Sequence, residues 1–156
     1  MSVCYYEYQA PFGFVGLELT NNQLSGVDLC LDQSRELTRK NKAIDIYCQA
    51  LDAYFTGELT VFDVPIVFKG GTQFQNQVWQ QIAAIDYGCT RTYGEIAQTL
   101  SSHARAVGQA CGRNPVPLFV PCHRVLAKNG LGGFSLGTEE KMLQIKMYLL
   151  TLEGVL

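Results

Sequence analysis

Apolar and polar positions alternate through the first thirty residues. Tyr5, Tyr6 and Tyr8 favour extended backbone, and Phe12 to Leu19 runs at the period of a strand before Thr20-Asn21-Asn22-Gln23 turns the chain. Leu24 to Leu31 resumes an apolar-rich strand, so a three-stranded antiparallel meander is predicted. The period then changes. Ile44, Tyr47, Cys48, Leu51 and Phe55 fall at helical spacing over 43–55, and Gly57 ends that helix. Residues 59–68 read as extended, with Val61, Pro65 and Val67.

From Lys69-Gly70-Gly71 onward the periodicity is helical, which predicts a first domain over 1–69 and a second over 70–156. Thr72 and Gln75 have capping-box spacing, and Phe74, Val78, Ile82 and Ile85 then give one apolar face that stops at Tyr87-Gly88. Thr92 and Glu95 form a second box, opening a short helix to Leu100. Past Ser101, with Ser102 as the expected cap, a third helix runs through Ala104, Arg105, Val107, Ala110 and Cys111 to Gly112. Two short helices across a tight turn make a helix-turn-helix candidate. Its small-residue second helix could lie against a nucleic-acid backbone with Arg105 projecting; an ordinary core pair is the alternative. The last helix, 138 to about 152, puts Met142, Ile145 and Leu149 on one face. Glu153 falls within about 20° of Met142 around that axis. A carboxylate on the core side needs a partner, and His or Arg would serve.

Composition places the chain among folded globular proteins: 156 residues, 47% hydrophobic and 17% charged. No apolar run approaches a membrane span, so no membrane partner is expected, and the N-terminus lacks the layout of a signal peptide. Six scattered cysteines without a Cys-x-x-Cys fit free thiols in a reducing compartment, cytoplasmic or, in a eukaryote, nuclear. With His103 and His123 the only histidines, no metal site is expected. The net charge of −2 argues against nucleic acid, but it is unevenly spread. Residues 1–85 are net acidic and 86–156 net basic, with Arg91, Arg105, Arg113, Arg124 and Lys128 close together in sequence. Such a local basic face can bind phosphates.

The chemistry concentrates in Asn114-Pro115-Val116-Pro117-Leu118-Phe119-Val120-Pro121-Cys122-His123-Arg124-Val125. Three prolines stiffen the backbone, an apolar run carries it through the interior, and Cys122 arrives with His123 and Arg124 beside it. Neighbouring cations or imidazole raise the reactive thiolate fraction. The alternative is an inert core cysteine followed by a surface His-Arg. Beyond it, the glycine-rich loop from Gly130 to Gly137 permits close backbone approach to a ligand.

Taken together these stretches resemble the O6-alkylguanine-DNA alkyltransferases, the methylated-DNA–protein-cysteine methyltransferases. The blocks are Gly-Thr-x-Phe-Gln-x-x-Val-Trp at 71–79, Tyr-Gly-x-Thr-x-x-Tyr-Gly-Glu-Ile-Ala at 87–97, Arg-Ala-Val-Gly at 105–108, and Asn-Pro-Val-Pro through Pro-Cys-His-Arg-Val at 114–125. The resemblance implies an α+β protein. Its N-terminal domain would be a small antiparallel, ribonuclease-H-like sheet serving as support, and its C-terminal domain mainly α, with the helix-turn-helix and the acceptor. It implies stoichiometric, irreversible transfer of the alkyl group from O6-alkylguanine, and O4-alkylthymine, in duplex DNA to Cys122, by a monomer without cofactor. His123 would deprotonate Cys122 through a water, Glu153 would orient His123, Asn114 would hold the backbone and the water, and Tyr93 would donate to the leaving guanine. Arg105 would fill the gap left by the flipped nucleotide, with Ala104, Arg113, Thr92 and Arg91 also at the DNA. Val125, Phe134 and Ser135 would line the guanine pocket. The rival readings are a non-catalytic lesion-binding protein and a cysteine hydrolase. The motif turn Leu100-Ser101-Ser102-His103 is shorter than usual for the family and lacks its common glycine.

Overall fold

The computed structural model describes residues 2–30, 36–132 and 139–156. The chain forms two compact units, Met1–Lys69 and Gly70–Leu156. In the first, strands β1 (Val3–Ala10), β2 (Gly13–Thr20) and β3 (Gln23–Asp28) make the antiparallel meander in the order β1-β2-β3. The alternation seen in the sequence has a physical result: Val15, Leu17 and Leu19 of β2 are buried, while Phe14, Gly16 and Glu18 between them are not. Helix α1 (Lys42–Phe55) buries Ile44, Tyr47, Leu51 and Tyr54. Tyr47 ties this unit together, since its hydroxyl donates to the Pro65 carbonyl (2.6 Å) and accepts from the Leu24 amide (3.1 Å). The extended stretch that follows α1 bridges β3, with Ile66 beside Leu24.

The second unit is mainly helical: α2 (Gln73–Ala83), α3 (Tyr93–Thr99), α4 (Ala104–Gly112) and α5 (Glu139–Leu152), with a parallel pair of two-residue strands, β4 (Arg91–Thr92) and β5 (Val125–Leu126). Both predicted capping boxes form. Thr72 accepts from the Gln75 amide at the start of α2, and Thr92 from the Glu95 amide at the start of α3, each with the reciprocal bond. Helix α4 packs on α2 and α3. The Trp79 indole N–H donates to the Ala110 carbonyl (2.9 Å), a buried polar tie between α2 and α4.

The tight turn between α3 and α4 works without glycine. The Ser102 amide donates to the Ala97 carbonyl and the Ser101 amide to that of Gln98, the paired bonds of a Schellman ending. Ser101 takes the left-handed position at φ 53°, where glycine is usual. Ser102 is used in closing α3 and does not cap α4 as predicted from its hydroxyl. His103 is the cap, its Nδ1 accepting from the Ala106 amide at 3.3 Å.

Candidate active site

The proline-rich stretch builds a sharp mount. The Val120 amide closes on the Val116 carbonyl, and the Cys122 amide donates to the Val120 carbonyl (2.9 Å) across Pro121 at φ −82°, ψ 72°. That is an inverse γ-turn, which proline's fixed φ favours. Cys122–Arg124 then wind into one 3-10 turn before β5. Leu118 sits at φ 77°, a region bulky residues avoid at a cost on the order of 1–3 kcal/mol. Its side chain is buried, so packing holds the strained backbone in place.

Asn114 fastens the mount to the sulfur. Its Oδ1 accepts from the Val116 amide (3.0 Å), which fixes the amide's orientation. The Nδ2 group then donates to the Val120 carbonyl (2.8 Å) and to Cys122 Sγ (2.9 Å). Cys122 is only 3% exposed.

His123 and Glu153 meet in the interior, where both side chains are fully buried. The helical phase that pointed Glu153 inward delivers it as the residue after α5. Gly154, at φ 81°, donates to the Thr151 carbonyl and ends the helix there. The Glu153 carboxylate accepts from His123 Nε2 (2.7 Å), Arg124 Nε (2.8 Å), Arg124 Nη2 (3.0 Å) and the Gly88 amide (3.3 Å). Arg124 also donates to the Ile85 carbonyl (2.7 Å). Arg124 is therefore a buried ion-pair partner and no part of the basic face predicted from its sequence neighbours.

Two influences on His123 oppose one another. The short contact with Glu153 favours imidazolium, yet burial is larger and pulls His123 below the ordinary imidazole value, with Arg124 and Lys146 adding to it. We assign a neutral ring, because the Glu153 charge is already matched by the Arg124 guanidinium through two hydrogen bonds. Neutral His123 then carries its proton on Nε2, donating to Glu153, and leaves a lone pair on Nδ1. Nδ1 is buried and makes no hydrogen bond among the described residues. An imidazole nitrogen left unprotonated and without a hydrogen-bond partner among the described residues is able to accept a proton.

Tyr93, first residue of α3, is half-buried. Burial, then the neighbouring Cys111 and Cys122, hold its phenol above the ordinary tyrosine range, so it remains a donor. A Cβ at Gly132, which sits at φ 72°, would lie 2.9 Å from the Tyr93 ring, so this glycine permits close approach to the tyrosine. Lys146 is a site residue the sequence reading passed over. It is fully buried on α5 and donates to the Val125 carbonyl (2.7 Å), with Nζ 5.8 Å from the Tyr93 ring centroid. Burial pulls it down to about 8, against the opposing pull of Cys111 and Cys122. Its helical phase, four residues after Met142 and three before Leu149, was the available signal.

The predicted DNA-facing residues lie apart from this buried cluster. Ala104, Arg105 and Arg113 are exposed at the two ends of α4. Arg91 is more constrained, donating to Gln81 Oε1 (2.9 Å) and Thr99 Oγ1 (3.1 Å), and Thr92 is occupied as the cap of α3. Of the predicted pocket residues, Val125 is buried with its carbonyl on Lys146, while Phe134 and Ser135 lie outside the described residues. Among the described residues no cluster of His, Cys, Asp and Glu could hold a metal, and no helix is long and apolar enough to cross a membrane.

Known proteins resemble this chain in sequence and in fold. Residues 73–155 match the family model described as 6-O-methylguanine DNA methyltransferase, DNA binding domain. A methylated-DNA–protein-cysteine methyltransferase of Metallosphaera sedula is 36% identical over 97% of this chain and 94% of that protein. The crystal structure of the Mycobacterium tuberculosis O6-methylguanine methyltransferase superposes with a TM-score of 0.84 at 38% identity, covering 97% of this chain and 93% of that one. The M. tuberculosis OGT in complex with DNA gives 0.81 at 38% identity, covering 96% and 91%. With likeness that spans both units and takes in the whole cysteine-bearing half, the chain belongs to the methylated-DNA–protein-cysteine methyltransferase family.

Proposed function

We propose that this protein repairs O6-alkylguanine in duplex DNA, and O4-alkylthymine by the same attack, through one irreversible transfer of the alkyl group to Cys122. The observation that carries the reading is the pair of polar contacts set around Cys122 and the residue after it. Asn114 donates to Cys122, and His123 is held by Glu153 with its other nitrogen unpartnered. In this reading His123 Nδ1 takes the Cys122 proton through a bridging water. The thiolate attacks the alkyl carbon, the new C–S bond forms as the C–O6 bond breaks, and the electron pair leaves with guanine. The Tyr93 hydroxyl donates to the departing base, so that it leaves neutral. The thioether has no route back to thiol, so each molecule acts once and needs no cofactor.

The target atom is out of reach in a stacked duplex, so the nucleotide must be extruded. Arg105, exposed on the second position of α4, fills the gap it leaves. Ala104 and Arg113 flank it against the strand backbone, joined by Thr92 and Arg91 at the start of α3. The first unit supports the second, and the protein acts as a monomer.

Duplex DNA carrying radiolabelled O6-methylguanine tests this. Label is expected to move to wild-type protein up to one equivalent and not at all to Cys122→Ala. Binding without label transfer would point to a lesion-binding protein, and repeated turnover on an ester or peptide to a hydrolase. For Arg105→Ala, repair of duplex DNA is expected to fall on the order of 10²-fold while reaction with free O6-benzylguanine stays near wild type. Equal loss on both substrates would remove the gap-filling role.

A further inference from the structure

A tryptophan with no part in the chemistry above is fastened to the helix end that meets the sulfur. Trp79 on α2 is buried and is the only tryptophan in the chain. Its far edge lies against the backbone where the chain enters the second unit. A Cβ at Gly71, which sits at φ 88°, would be 2.7 Å from the ring atoms Cζ3 and Cη2. At the other edge the indole N–H donates to the Ala110 carbonyl (2.9 Å). That carbonyl also accepts from the Arg113 amide (3.1 Å). The indole is therefore not needed to rescue an orphaned acceptor. As a second donor, from another helix, it fixes where the last turn of α4 stands.

The next carbonyl along carries the consequence. The Cys111 oxygen lies 3.5 Å from Cys122 Sγ, within reach of the thiol proton, and it also accepts from the Asn114 amide (3.2 Å). The Asn114 side chain closes the ring by donating to the same sulfur (2.9 Å). Cys122 thus donates to one partner and accepts from another, which holds its side chain in one rotamer. The Ala110 and Cys111 carbonyls belong to consecutive peptide groups of one helical turn, so a shift of the first carries the second with it.

We propose that Trp79 is a positioning residue for alkyl transfer: its indole N–H, donating to the Ala110 carbonyl, keeps the adjoining Cys111 carbonyl on the Cys122 thiol and so holds the sulfur in one rotamer for attack. The proposal rests on Cys122 being the alkyl acceptor. No covalent bond to Trp79 or Cys111 forms or breaks.

Because the chain holds one tryptophan, supplying an analogue to a tryptophan-requiring host replaces this side chain alone. Benzothienylalanine keeps the two-ring shape with sulfur in place of the N–H, whereas azatryptophan with nitrogen in the six-membered ring keeps the N–H. The first readout is the Cys122 S–H stretch by infrared spectroscopy, isolated by difference against Cys122→Ser in the same background. A thiol that donates to a carbonyl vibrates at lower frequency than a free one. The second is single-turnover reaction with free O6-benzylguanine. With benzothienylalanine the S–H band is expected to move to higher frequency and transfer to slow about tenfold. Trp79→Phe, which sets no atom against the carbonyl, is expected to move both the same way, and azatryptophan to leave both near wild type. A purely structural role would lower the melting temperature and leave the band of the folded protein in place. A band at the wild-type frequency without the N–H, a shifted band with an unchanged rate, or equal changes with azatryptophan would each overturn the proposal. The band reports the contact without substrate. If it shifts as expected while the wild-type protein accepts no alkyl group, the acceptor reading falls and the hold of the indole on the thiol stands.

Discussion

Glu153→Gln is expected to lose about 3–5 kcal/mol of folding stability, because removing one partner of a buried ion pair leaves the other charge uncompensated. Here the stranded charge is Arg124, whose Nε and Nη2 both bond to the Glu153 carboxylate inside the protein. Denaturant melts measure the loss, and a midpoint like that of wild type would mean the pair is not charged in the folded state. The same substitution also removes the anion behind His123 Nε2, so transfer from O6-alkylguanine is expected to slow by more than the loss of folded protein explains. Pairing Glu153→Gln with Arg124→Met separates the two effects. A partner replaced by an apolar side chain of similar length no longer strands a charge, so stability is expected to return in part while transfer stays slow. Recovery of both together would make the carboxylate a purely structural element.

Asn114→Asp keeps size and shape but reverses the donor. One carboxylate oxygen can still accept from the Val116 amide, as Oδ1 does now. The other replaces an N–H that reaches both the Val120 carbonyl and Cys122 Sγ, so acceptor faces acceptor at each contact. It also places a negative charge against a sulfur that must become negative. Loss of one donor to a developing or formed anion costs on the order of 10²–10³ in rate, and the added repulsion puts this variant at or beyond the upper end. Single-turnover reaction with free O6-benzylguanine measures it without involving DNA binding. A rate within about threefold of wild type would show that the donor does not act on the nucleophile.

Local chemistry was the most legible part of this sequence. The boxes at Thr72/Gln75 and Thr92/Glu95 involve side chains three residues apart, so the residues name the contact. Glu153 was readable at a distance because helical phase is a global property of α5, and Met142, Ile145 and Leu149 set it. The same phase carries Lys146 inward, but a lysine in a helix reads as surface unless its face is checked. Arg124 misled for a related reason. Linear proximity to Arg105 and Arg113 suggested a shared surface, whereas its true partner is 29 residues away. The cap of α4 failed at one residue, since Ser102 is taken by the ending of α3 and His103 supplies the acceptor. Cys111 looked like one more small residue on α4. Its meeting with Cys122 depends on how the 114–121 turn folds back, which no local pattern encodes.

The shortest element of the second unit sets its most demanding distance. Arg91 pairs with Val125 and Thr92 with Leu126, and those two rungs fix how far Tyr93, immediately after one strand, stands from Cys122, three residues before the other. A slip of one rung would slide these side chains past each other by about 3.3 Å, more than the proposed joint action of Tyr93 on the base and Cys122 on its alkyl group would tolerate. The ladder thus works as a spacer gauge. Lineages could lengthen or trim the turns outside it and keep the reaction, whereas a single residue inserted between Arg91 and Tyr93 would throw the hydroxyl and the sulfur out of alignment.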